Sequence, residues 1–210
     1  MSARTSLTIA TAAAVVATLG DLLMLYVANA GRAELALPPP PALALAVGAA
    51  LGVGAIPLYA LGYGAVASAI GAVSRRGARV VLACGIGAAM IGAGIHAGTA
   101  LAIRGATGSA APLEAVAAAG PALRIAWALA SLLVLAASVV VIRAGAAGSR
   151  ALPRPVAWLN PAAVTLLLGA AGLPWEIGRS FLVPAAPNLA HVVFFASLLF
   201  ARSDGPFEGK

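Results

Sequence analysis

Long apolar runs broken by short polar links dominate this chain. Six stand out, at Ser6–Ala30, Ala42–Val73, Arg79–Ile103, Pro121–Ile142, Trp158–Trp175 and Pro184–Ala201. Each is close to or above the roughly 20 residues that an α-helix needs to cross about 30 Å of hydrocarbon. Barrel strands would be about half as long and would alternate in polarity. Backbone polar groups in lipid must be satisfied within their own segment, so each run is expected to be helical. The fold class expected is an all-α, polytopic transmembrane bundle of about six helices in a single domain over residues 1–210.

The links carry matching punctuation. Pro38–Pro41 divides the first two runs, and Ser74-Arg75-Arg76-Gly77 divides the second from the third. Pro121 suits the first turn of the fourth helix, and Asn160-Pro161 reads as a helix start. Pro187-Asn188 reads as another start, which would begin the last helix late. Pro57 is placed to kink the second helix. Trp158 and Trp175 are 17 residues apart. At 1.5 Å per residue that is about 26 Å, close to the spacing of the two interfacial aromatic belts.

Composition strengthens this picture. The chain is 62% hydrophobic and 9% charged. A soluble domain carries about a quarter charged residues, so most of this surface must face lipid. The formal net charge of +7 is spread singly over the links. It therefore points to topology and anionic headgroups, and no nucleic-acid partner is expected. Arg4, Arg75, Arg76, Arg79, Arg143, Arg150, Arg154, Arg202 and Lys210 fall on one side; Arg32, Arg104, Arg124 and Arg179 fall on the other. The richer side is assigned to the cytoplasm, which puts both termini there and the protein in a bacterial inner membrane. Arg4, an apolar run and Ala28-Asn29-Ala30 also resemble a signal peptide. That run is longer than a signal core and Asp21 interrupts it, so a retained helix is expected. The single cysteine, Cys84, lies in an apolar run without a neighbouring base and reads as a packing residue.

Against so apolar a background the few ionisable residues are informative. Asp21, His96 and His191 lie on three different runs. Counting from the outer ends at Ala30, Arg104 and Pro184 puts them about 13, 12 and 10 Å deep. Ionisable groups at such depth cost about 2.5–3.5 kcal/mol each on insertion scales, and they face a protein interior or a wet cavity. Thr11, Thr18, Asp21 and Asn29 share one helical face, as do Gly85, Gly92, His96 and Thr99. Gly48/Gly52 and Gly94/Gly98 are small-xxx-small pairs. Asn188, Glu176, Arg179 and Arg124 lie nearer the outer rim, and Tyr59 and Tyr63 are four apart on one face. These six are the candidate substrate-binding residues. Asp21, His96 and His191 are the candidate catalytic ones.

No phosphate-cradling Gly-Lys-Ser/Thr loop, His-Glu-x-x-His or Gly-x-Ser-x-Gly occurs, and no cofactor is implied. His96 and His191 with Asp21 or Glu176 would make a zinc-like donor set, but no local spacing supports a metal. Gly20-Asp21-Leu22-Leu23, Leu159-Asn160-Pro161 and Pro187-Asn188-Leu189-Ala190-His191 with Phe194-Phe195 resemble a family of small bacterial six-helix membrane proteins of unknown function. The resemblance implies no activity.

Three functions fit this pattern. The first is a membrane-embedded acid–base enzyme on a lipid or isoprenoid-like substrate, with Asp21 as proton donor and His96 and His191 as acceptors or relays. Small integral-membrane terpene cyclases use acidic residues in this general way, as an analogy of site class alone. The second is a small proton-coupled transporter or channel, whose polar lining must continue into the inner half. The third is an accessory subunit whose polar residues only join helices. The expected partners are membrane lipid and a hydrophobic small molecule, and a homo-oligomer is compatible with each.

Overall fold

The computed structural model describes residues 1–106, 120–149 and 151–203, without the side chains of Ala106, Arg202 and Ser203. Residues 107–119 lie outside the described residues, as do Arg150 and Lys210, which the charge count uses. Among the described residues all regular secondary structure is helical and there is no strand. Five spans are long and apolar enough to cross a membrane: Ala3–Asn29, Ala44–Gly71, Arg75–Gly105, Pro121–Ala146 and Gly178–Ala201.

Helix α1 is Ala3–Asn29, capped by the Ser2 hydroxyl, which accepts from the Thr5 N–H at 3.1 Å. Helices α2 (Ala44–Ala55) and α3 (Tyr59–Gly71) form one span, joined by a 3₁₀ turn at Ile56–Leu58. Pro57 lies inside that turn, as its missing N–H and fixed φ require. Helix α4 is Arg75–Ala106 and α5 is Pro121–Ala146, with Pro121 in its first turn.

The last third of the chain departs from expectation. Residues 158–175 do not form one spanning helix. A short α6 (Arg154–Trp158) ends at Leu159, and Asn160 caps α7, Pro161–Gly172, by accepting from the Ala163 N–H at 3.1 Å. The 12 residues of α7 cover about 18 Å, short of the hydrocarbon thickness.

The final helix starts earlier than Pro184. A π-helical turn at Gly178–Leu182 leads into α8, Val183–Ser203, with Pro187 inside the helix. The Val183 N–H bonds back to the Gly178 carbonyl, a five-residue step, just before Pro184 supplies no N–H at all. The Ser180 carbonyl, left without its ordinary donor four residues on, faces the Asn29 amide at 3.5 Å. Prolines that read as helix starts are thus absorbed by a change of helical pitch. Pro187-Asn188 begins nothing, and His191 lies 13 residues inside the span, deeper than counting from Pro184 gave.

Helix α1 sits at the centre. Its Leu7, Ala10, Ala14 and Ala17 are fully buried. The Asn29–Ser180 contact places its C-terminal end beside the start of α8, so the two run antiparallel. The N-terminal end of α1 and the C-terminal end of α8 therefore share one end of the bundle. The Ser149 hydroxyl donates to the Ala69 carbonyl at 3.2 Å, which ties the α5–α6 link and the end of α3 to that same end.

Two glycines decide how closely α1 and α2 approach. A Cβ at Gly20 would lie 2.7 Å from the Gly48 carbonyl oxygen, and one at Gly48 would lie 2.8 Å from the Gly20 oxygen. The backbones touch there, as small-residue interfaces in membranes allow. Gly94 differs: its Cβ would meet open space. A Gly48→Val substitution is expected to force these helices apart and destabilise the protein by about 1–3 kcal/mol, whereas Gly94→Ala should be neutral. Thermal unfolding of both variants in detergent checks this, and equal melting temperatures would contradict the contact.

Candidate functional site

Asp21 and His96 are brought together in the interior. Asp21 Oδ1 lies 3.2 Å from His96 Nδ1, with the imidazole 4% and the carboxyl 14% exposed. The other ring nitrogen of His96 faces the Gly48 carbonyl at 3.0 Å. A carbonyl can only accept, so Nε2 carries a hydrogen. A hydrogen bond across that distance to Asp21 would take a single proton. Either the carboxyl donates it to a neutral imidazole, or an imidazolium donates it to a carboxylate.

The second oxygen of Asp21 is held from the opposite side. The Asn188 Nδ2–H donates to Asp21 Oδ2 at 2.7 Å, and Asn188 Oδ1 accepts from the Tyr59 hydroxyl at 2.8 Å. These contacts fix which way the Asn188 amide points. The chain of bonds runs from Tyr59 on α3 through Asn188 on α8 and Asp21 on α1 to His96 on α4.

His191 belongs to a second layer. Its Nδ1–H donates to the Pro187 carbonyl at 2.7 Å, and its Nε2 accepts from the Tyr63 hydroxyl at 2.9 Å. Its ring stacks on Tyr59 with centroids 4.6 Å apart and 27° between planes. Phe195 meets Tyr59 and Tyr63 edge-on. With both nitrogens engaged, His191 buttresses the two tyrosines and has no direct hydrogen bond to Asp21.

Glycines make room for this arrangement. A Cβ on Gly52 would fall within the His96 ring, and one on Gly85 within the Tyr63 ring. A Cβ on Gly62 would come 2.6 Å from the Phe195 ring. The absence of side chains on α2, α3 and α4 is what lets these rings lie flat between helices.

Beside the network lies a cavity of about 370 Å³, walled mostly by apolar side chains. Asp21, Tyr59, His96, Asn188 and His191 all contribute to its wall. Its opposite rim is formed by Trp127 and Leu135 of α5 and Leu166 of α7. These rim side chains are 41%, 50% and 73% exposed on the outside of the bundle. The cavity is partly open, and we take the side framed by these exposed residues of α5 and α7 as its mouth. Below the cavity, toward the end holding the chain termini, the interior closes. Leu7, Ile70, Phe194, Phe195 and Leu198 there are at most 1% exposed.

Of the nine candidates, Asp21, His96, His191, Asn188, Tyr59 and Tyr63 converge. The other three do not reach the cavity. Arg124 is exposed on α5. Glu176 and Arg179 form an ion pair just before the π turn, and Arg32 joins it by pairing with Glu176 and, at 2.7 Å, with Glu34. Arg32 also donates to the Ser180 hydroxyl at 3.0 Å and to Asn29 Oδ1 at 3.3 Å. This cluster staples the end of α1 to the entry of α8. Sequence reasoning passed over Arg32 because only the tertiary fold puts it opposite Glu176. It also passed over the Gly48 carbonyl, Ser131 and Thr165. Lone hydroxyls in apolar runs were the only signal for the last two.

Among the described residues, no group of three His, Cys, Asp or Glu side chains is placed to hold a metal ion. The zinc-like sets considered from sequence are both split: Glu176 lies in the rim cluster, and His191 has both ring nitrogens engaged by Pro187 and Tyr63 with no direct hydrogen bond to Asp21.

The chain belongs to a family of unknown function, DUF6796, whose profile matches residues 2–204. No curated protein and no solved structure matches it.

The rim cluster yields a pH dependence. Hydrogen bonds from Arg179 and Arg32 hold the Glu176 carboxyl below its ordinary value of 4.5. A depressed carboxylate stabilises the fold above its unfolded value, and that stabilisation is lost as pH falls through the folded value. Acidification below about pH 4.5 should thus lower the melting temperature less in Glu176→Gln than in wild type. Parallel melting curves for the two proteins between pH 6 and pH 3, taken at ~0.1 M salt, would contradict it.

Proposed function

We propose that this integral membrane protein is an acid–base enzyme acting on a lipid or isoprenoid-like molecule that enters sideways from the bilayer. One observation carries the reading: the Asp21–His96 pair forms the polar wall of an apolar cavity whose mouth lies between two exposed apolar helices. A span's exposed flank faces hydrocarbon, so a mouth there admits what is dissolved in the bilayer.

The residues divide the work. Asp21 and His96 hold the transferable proton between Oδ1 and Nδ1, and one of them presents it to the substrate. Moving that proton to a bound molecule leaves the pair one proton short, and the same pair can take it back. Gly48 keeps His96 Nε2 protonated, so transfer is confined to the Nδ1 side. Asn188, oriented by Tyr59, holds Oδ2. His191 and Tyr63 are positioning residues that fix Tyr59 from behind.

A transporter needs the polar lining to continue inward, and the packed layer of Leu7, Ile70, Phe194, Phe195 and Leu198 offers no such path. An accessory subunit needs the hydrogen bonds but not the cavity beside them. The basic residues Arg75, Arg76, Arg79, Arg143 and Arg154 lie around the end that carries the chain termini, which supports a multi-pass arrangement in the inner membrane with that end in the cytoplasm.

Asp21→Asn is the informative variant. Its amide oxygen can still accept from Asn188 and its N–H can donate to His96, so the fold is expected to persist. In nanodiscs supplied with extracted bacterial lipid in D₂O, wild type should place deuterium in a lipid species, followed by mass spectrometry. Asp21→Asn should slow this by about 10²–10⁴-fold while melting near wild type. Full exchange in a folded Asp21→Asn protein would remove Asp21 from the mechanism.

A further inference from the structure

Hydroxyl side chains inside membrane helices ordinarily bond back to the carbonyl four residues earlier, which satisfies them without a neighbour. Outside the cavity several hydroxyls follow the rule, although Ser138 accepts from the Ala162 N–H instead and Ser197 has no hydrogen bond among the described residues. Thr8, Thr11, Thr18 and Ser68 donate to Arg4, Leu7, Ala14 and Gly64 at 2.8–3.0 Å. Three hydroxyls on the cavity wall depart from it. Thr99 on α4, Ser131 on α5 and Thr165 on α7 have no hydrogen bond among the described residues, and all three line the cavity. Thr99 lies one helical turn from His96. Ser131 and Thr165 lie on the two helices that frame the mouth.

The charges of the wall are as telling. Its ionisable groups are Asp21, His96, His191 and Tyr59, and neither lysine nor arginine contributes. The cations nearest the α1–α8 end of the cavity, Arg32 and Arg179, are already paired with Glu176. An anionic headgroup inside the cavity would meet the Asp21 carboxyl with neither lysine nor arginine on the wall, since Arg124, one turn from Trp127 on α5, is exposed outside it; the desolvation cost is high. A hydroxyl or carbonyl oxygen would meet three unused hydroxyls and the free valence of the Asn188 amide.

We infer that the cavity takes an uncharged, largely hydrocarbon molecule bearing a hydroxyl or carbonyl oxygen, and that it rejects phosphorylated lipids. The inference rests on the cavity being a substrate site and specifies that substrate's class. A phosphate or diphosphate must be absent from the molecule before it enters. The reaction that supplies it is accordingly a dephosphorylation or one that never used a phosphate ester.

Binding can be read at the mouth. The chain has three tryptophans. Replacing the exposed Trp158 and Trp175 with Phe leaves Trp127, on the cavity rim, as the sole reporter. In detergent micelles, with ligand expressed per mole of detergent, the probes are farnesol, farnesyl diphosphate and farnesene. Farnesol is expected to change Trp127 emission saturably and to bind at least about tenfold tighter than either other probe, a difference worth about 1.4 kcal/mol. Thr165→Val should weaken farnesol several-fold and leave farnesene unchanged. Ala130→Phe, which fills the cavity without touching its polar wall, should abolish the response.

Farnesyl diphosphate binding as tightly as farnesol would overturn the uncharged class, and farnesene matching farnesol would overturn the oxygen requirement. In both cases the cavity would remain a ligand site. No saturable response to any probe, or one that Ala130→Phe leaves intact, would overturn the substrate-site reading itself, and this inference with it.

Discussion

The close approach of Asp21 and His96 is the constraint on which the rest depends. Two ionisable side chains inside an apolar bundle are costly unless each polar atom finds a partner. Here the groups come from five helices: the Gly48 carbonyl on α2, Tyr59 on α3, Asn188 on α8, and the pair itself on α1 and α4. Helix positions that satisfy this set are few. The glycines at 20, 48 and 52 are needed because the helices must come close enough for His96 to reach a backbone oxygen.

The same economy explains the asymmetry of the bundle. One end is dry and filled with Leu, Ile and Phe side chains. Toward the other end, α7 is too short to span and α5 stands partly away from α8, which leaves the cavity and its mouth. A full-length sixth span packed against α5 would close that gap. The truncated helix, the π turn and the Arg32–Glu176–Arg179 staple are parts of one solution: they hold the entry of α8 firmly while keeping the space beside it open.

Much of this was legible in the sequence, and the failures have physical causes. Depth counting found Asp21 and His96 because their helices end where apolar runs end. It misplaced His191, since Pro184 and Pro187 read as helix starts, while a five-residue hydrogen-bond step lets the helix run through them. The fifth run was long enough by composition to span, yet Asn160 capped a new helix inside it. Gly48/Gly52 and Gly94/Gly98 have the same spacing, but one pair touches a neighbouring helix or ring and Gly94 faces open space. In a chain with 24 glycines, only the three-dimensional arrangement separates them. Glu176, Arg179 and Arg124 were drawn to the site by depth alone, and two of them serve the staple instead.

The ring nitrogens that carry hydrogen define the network, and the chain's two histidines make them measurable by ¹⁵N NMR. With labelled histidine in bilayers, and Tyr63→Phe used to assign His191 through the hydrogen bond it loses, the network sets opposite patterns. His96 should keep Nε2 protonated throughout, with its Nδ1 signal responding to Asp21→Asn. His191, in its neutral form, should carry its hydrogen on Nδ1 and leave Nε2 bare for Tyr63, the reverse of what free imidazole side chains prefer. Two rings that both behave as free imidazoles, with neither responding to Asp21→Asn, would contradict the shared proton and the site built around it.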